Sequence, residues 1–148
     1  AGLLARLGAA PLPVSSPPLV EGGETARVEA LAVAAVLAHE RALGHEPRDV
    51  SAEKRGYDIE SRAPDGRLRF IEVKGRTAGA RTVTVTKNEI LTALNKPDDF
   101  WLALVEVDGD AARPPVYLRR PFRHEPDFAA CSVTYDLAKL LAQAEGAE

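Results

Sequence analysis

The sequence predicts an α/β domain, a mixed sheet flanked by helices. An Ala/Leu-rich run near the start has helical composition. A central block breaks into short β-prone runs separated by turn residues, and the run Phe100 to Val105 is apolar without alternation, as in a strand covered on both faces. Together these give a core order of α-β-β-β-α-β, then an edge strand and a helix.

Residues 1–24 include "APLPVSSPPLVEGGE", where Pro, Ser and Gly predict a linker or N-terminal arm, leaving 25–148 as the domain. "AGLLARLGAA" before it reads as a helix end belonging to a preceding domain, and the absence of methionine predicts a lost initiator or excision from a longer protein. "ETARVEALAVAAVLAHERALG" predicts a helix capped by Thr25 and stopped by Gly44, with an apolar stripe through Val28, Leu31, Ala32, Ala35 and Val36. Glu29 and Glu40, eleven residues apart, fall on one flank of that helix.

"EPRDVS" and "GYDIESR" read as short extended pieces, "APDG" as a turn, and "RLRFIEVKG" as the strand that closes a hairpin through it. "RTVTVT" is a further strand. In "TKNEILTALNKP", Thr86 and Glu89 form a capping box and Pro97 ends the helix, so the first reading of Glu89 is structural. "PPVYLRRPF" predicts an edge strand and "TYDLAKLLAQAE" a closing helix.

A chain of 148 residues with 45% hydrophobic and 28% charged residues suits one ordinary globular domain. No apolar run approaches the roughly 20 residues of a membrane span, and the start lacks a secretory signal. The single cysteine, Cys131, excludes an internal disulfide and fits a cytoplasmic setting. Net charge is −3, but Ser51 to Lys96 holds ten Lys/Arg against six Asp/Glu, a local +4, and the remainder nine against sixteen, a local −7. That asymmetry predicts a nucleic-acid partner for the central block, DNA first. His39 and His45, six apart and without a CxxC, do not make a zinc motif.

Within the central block two acids and a lysine stand where a sheet wants apolar side chains. Strand alternation puts Phe70, Glu72 and Lys74 on one face and Ile71 and Val73 on the other, and the "APDG" hairpin brings Asp58 toward Glu72. Two converging carboxylates either take up a proton or hold a cation, and oxygen ligands suit Mg²⁺ or Mn²⁺. Lys74 is placed to stabilise charge in a phosphoryl transition state or to position water. Gly56 and Gly75 would leave room for a phosphate backbone. Arg76 and Lys87 are candidate phosphate contacts, and Tyr57 is a candidate base-stacking platform, although core packing is its commoner use.

The spacing, Asp58 then thirteen residues then "EVK", resembles the PD-(D/E)XK nuclease superfamily, with "GYD" where Pro usually precedes the acid. A wider pattern, "VEALAVAAVLAHERALG…DVS…GYDIES…IEVKGR…TVTKNEILTA…WLALVEVDG", is similar to the NO VEIN C-terminal family over most of residues 25–142. The resemblance implies a PD-(D/E)XK nuclease-like core and attachment to a bacterial Snf-type helicase. It implies metal binding by Asp58 and Glu72, catalysis by Lys74, and completion of the site by a helix glutamate, Glu29 or Glu40. The expected function is a metal-dependent endonuclease-like hydrolase module. The alternative is a non-catalytic nucleic-acid-binding or protein-docking domain of a helicase, and a third reading is a structural cap for a motor.

Overall fold

The computed structural model describes residues 22–144. Most of the expected arm at 1–24, with the helix end read at its start, lies outside the described residues. Helix α1 (Gly22–Ala42) begins before Thr25, which is a residue of its first turn and not its cap. It ends as expected at Gly44, whose φ of +88° allows His45 N–H to reach Glu40 C=O at 3.0 Å and Gly44 N–H to reach Arg41 C=O at 2.9 Å.

Strand β1 (Glu46–Asp49), a 3₁₀ turn (Ser51–Glu53), β2 (Ile59–Arg62) and β3 (Leu68–Thr77) follow. The "APDG" hairpin joins β2 to β3, with Arg62 opposite Leu68 and Ile59 opposite Ile71. Strand β4 (Thr82–Thr86) and helix α2 (Lys87–Asn95) lead to β5 (Phe100–Asp108), which lies parallel to β3, and then β6 (Ala111–Ala112) and β7 (Val116–Arg119) both return antiparallel to β5. The main sheet is six-stranded and mixed, in the order β1-β2-β3-β5 with β6 and β7 on the far edge of β5.

Strand β4 stands outside that sheet. It pairs antiparallel with β8 (Ser132–Asp136), Val83 opposite Tyr135 and Val85 opposite Val133. Strand β8 was not expected. The closing helix α3 (Leu137–Gln143) starts later than "TYD" because Asp136 caps it, accepting from Lys139 N–H at 3.2 Å.

The sheet separates two cores. Val28, Ala32 and Val36 of α1 pack on Ile59, Ile71, Val73, Ala103 and Val105. On the other face Phe100, Leu102 and Leu118 pack against Val83 and Val85 of β4, Ile90 and Ala93 of α2, and Leu140 of α3. Strand β5 is buried on both faces, as its unbroken apolar run predicts. Among the described residues no helix is long and apolar enough to cross a membrane.

Candidate functional site

Asp58 lies just before β2, where its N–H donates to Ile71 C=O at 2.9 Å and extends the hairpin ladder by one residue. Its carboxylate Oδ2 accepts from Val73 N–H at 2.9 Å, which pins the side chain against β3. Alternation along β3 turns Ile71 and Val73 toward α1, and Glu72 and Lys74 to the opposite face. There the carboxyl of Glu72, 3% exposed, lies beside those of Asp58 and Glu89. Lys74 Nζ is 3.3 Å from Glu72 Oε2 and 3.0 Å from Glu89 Oε1.

Glu89 enters from α2. The capping box forms as the sequence predicts: Thr86 Oγ1 accepts from Glu89 N–H at 3.1 Å, and Glu89 Oε1 accepts from Thr86 N–H at 3.0 Å. The same geometry carries the carboxylate to Lys74. The sequence signal for Glu89 was its capping-box spacing, which names the cap but not what lies beyond it.

Burial dominates the electrostatics. It raises Asp58 above the ordinary carboxyl value. It pushes Glu72 up to about 10, with the neighbouring Asp58 and Glu89 adding to the effect, so Glu72 is a neutral acid near neutral pH. Burial also opposes the charge on Lys74, but the adjoining Glu72 and Glu89 outweigh it and raise the amine. Glu89 is lowered despite burial, because Thr86 N–H and Lys74 favour its ionised form. The core of the site is one ion pair, Lys74–Glu89, beside a protonated Glu72.

These groups face a cleft of about 870 Å³ between the first half of α1, the end of β3, β4 and α2. Glu29 and Arg76 line it. Glu24, Glu29, Asp49, Asp58, Glu72 and Glu89 contribute six carboxyls to the lining, against the two cations of Lys74 and Arg76. The basic excess of the central block is therefore not in the cleft. Several of its arginines are paired elsewhere, Arg55 with Glu60 at 3.1 Å and Arg67 with Asp99 at 2.9 Å.

Glu40 does not belong to the site. It is fully buried, and it accepts from Tyr117 Oη at 2.7 Å and Arg69 Nη2 at 3.2 Å, with His45 Nδ1 at 2.8 Å. Although Glu29 and Glu40 share a helix flank, eleven residues separate them by about 16 Å along the axis, so one site cannot take both. Tyr57 is a core residue, 7% exposed and packed on Phe70 with ring centroids 4.9 Å apart, and offers no face to a base. Lys87 Nζ donates to Phe128 C=O at 3.0 Å and sits over the Phe128 ring, outside the cleft lining.

The glycines have a different use from the expected one. A Cβ at Gly56, where φ is +91°, would overlap the Thr92 hydroxyl of α2. One at Gly75 would come within 2.7 Å of Ala32 Cβ. Both positions admit neighbouring protein, not a phosphate backbone. Among the described residues no three His, Cys, Asp or Glu side chains are arranged to hold a metal ion.

Fold and cleft define an α/β domain with two acids and a lysine converging at one sheet face. Its sequence matches the family described as Protein NO VEIN, C-terminal, over residues 28–118, and the chain belongs to that family. A search of curated proteins returned no match.

Proposed function

We propose that this domain is a Mg²⁺- or Mn²⁺-dependent nucleic-acid phosphodiesterase, an endonuclease-like hydrolase of PD-(D/E)XK type, acting on DNA in the cytoplasm as part of a helicase-like protein. One observation carries the reading: Asp58 and Glu72, on adjacent antiparallel segments, meet through their carboxyls at a cleft floor with Lys74 3.3 Å from Glu72. The helicase attachment rests on the family resemblance. The cytoplasmic setting is supported by the free, exposed Cys131.

The donors present fit the cation. Mg²⁺ is commonly held by one or two carboxylates, with water and substrate phosphate completing its shell. Asp58 and Glu72 are two hard oxygen donors that meet at the cleft floor. When bound there, the ion would polarise a phosphate oxygen and acidify a water. Asp58 is held in place by Val73 N–H, and Lys74 supplies a fixed positive charge for the oxygens of the reacting phosphate.

The test is nicking of supercoiled and single-stranded DNA with Mg²⁺ or Mn²⁺. Lys74→Ala is expected to lower cleavage by about a hundredfold or more while retaining metal binding in calorimetry, and Asp58→Asn to lose both. A wild-type protein that cuts with neither ion, or a Lys74→Ala variant that cuts as well as wild type, would overturn the assignment.

The acidic lining favours a second reading, a non-catalytic docking domain for a basic protein segment or for nucleic acid bridged by cations. Binding without cleavage, unaffected by Lys74→Ala, would select it.

A further inference from the structure

We propose that Glu89 is the positioning residue for Lys74, holding the ammonium over the cleft floor through a carboxylate that the start of α2 locks in place. The inference rests on the phosphodiesterase reading for its consequence, but its geometry stands apart from it. Lys74 Nζ has two carboxylate partners, Glu72 at 3.3 Å and Glu89 at 3.0 Å. Glu72 is also an acid proposed to hold the cation, so its oxygens are committed there in the working state. Glu89 is then the neighbour left to fix where the amine points.

Glu89 is suited to that task because little about it can move. Its Oε1 accepts both Thr86 N–H at 3.0 Å and the Lys74 ammonium at 3.0 Å. Its own N–H is bound to Thr86 Oγ1, and the next residue, Ile90, is fully buried in the core beneath α2. Lys87 N–H, at the first position of the helix, donates to Cys131 C=O at 2.8 Å, which ties the same turn to the chain before β8. A side chain with its backbone and one oxygen fixed presents a defined charge to a long, flexible amine and reduces the orientations that amine can adopt.

The plain alternative is that Glu89 caps α2 and meets Lys74 by coincidence. Glu89→Gln separates the two, since Gln also completes a capping box but carries no charge. Glu89→Gln is expected to lower kcat by about tenfold or more with KM little changed, while Tm shifts by no more than about 2 °C. In competitive acetylation read by mass spectrometry, Lys74 of the variant is expected to react at least about threefold faster than in wild type, because the amine loses the fixed carboxylate 3.0 Å away that holds it at the cleft floor. A variant with unaltered Lys74 labelling overturns the proposal, whether or not the protein cuts DNA. Altered labelling in a protein whose wild type does not cut sustains the positioning role and rejects the phosphodiesterase reading. Unaltered kcat in a cutting protein, or a loss of kcat matched by a collapse of Tm, also overturns it.

Discussion

Two buried glutamates with opposite chemistry lie in one small domain. Burial works against charge at both. At Glu40 the hydrogen bonds from His45 and Tyr117, with the charge of Arg69, more than offset it and hold the carboxyl below its ordinary range. At Glu72 the neighbours Asp58 and Glu89 are acids, and the proton is retained up to about pH 10. In the unfolded chain the same carboxyl ionises near 4.5, so between these values the folded state binds more protons. The contribution of Glu72 to stability is therefore fully present below about 4.5 and declines as pH rises toward 10. Glu72→Gln is expected to remove that decline, raising metal-free stability by on the order of 5 kcal/mol at pH 8 relative to wild type, while the difference shrinks toward pH 5. Urea unfolding in EDTA at both pH values measures it, and a wild-type slope unchanged in the variant would refute the protonated state. The pairing of Asp58 with Glu72 was legible in the sequence because strand alternation and a tight turn are local rules. The choice between Glu29 and Glu40 was not, since what a helix flank touches depends on how the helix crosses the sheet.

At the scale of elements, α1 lies so close to β3 that Gly75 has no space for a side chain. Gly75→Ala is expected to destabilise the fold by about 1–3 kcal/mol, through overpacking against Ala32. Ala32→Gly alone should cost about 1 kcal/mol in helix propensity, yet the double variant should be less destabilised than the two costs together. Additive costs in a double-mutant cycle would show that the contact is not tight. Strand β4 illustrates the limit of local reading. Its alternation is plain, with Val83 and Val85 buried and Thr82, Thr84 and Thr86 exposed. Its partner was not, because "SVTYD" sits far along the chain and merges into a helix pattern at Asp136. The main sheet was legible because its strands are joined by short turns or marked by an apolar run.

For the whole molecule, the decisive feature is the distribution of charge. A sequence count placed +4 around the site, whereas acids outnumber bases among the charged residues that line the folded cleft. Sequence position could not reveal this, since ion pairs away from the cleft draw Arg55 to Glu60, Arg67 to Asp99 and Arg69 to Glu40. A polyanion then meets unfavourable potential at the cleft unless cations intervene. Fluorescence anisotropy at low salt is expected to show weak DNA binding in EDTA, strengthened about tenfold or more by Ca²⁺ or Mg²⁺ and weakened again by monovalent salt. Equal affinity with and without divalent ions would mean that DNA binds away from the cleft.

The pairing of β4 with β8 also has a meaning in time. Every acid and amine at the cleft floor has been translated by Glu89, but the strand that steadies the cleft wall begins at Ser132. At ordinary elongation speeds that gap lasts on the order of a few seconds. During it the nascent chain carries the full set of reactive groups without a finished groove to present them. Assembly of the groove is thus deferred to the closing stage of the domain's synthesis.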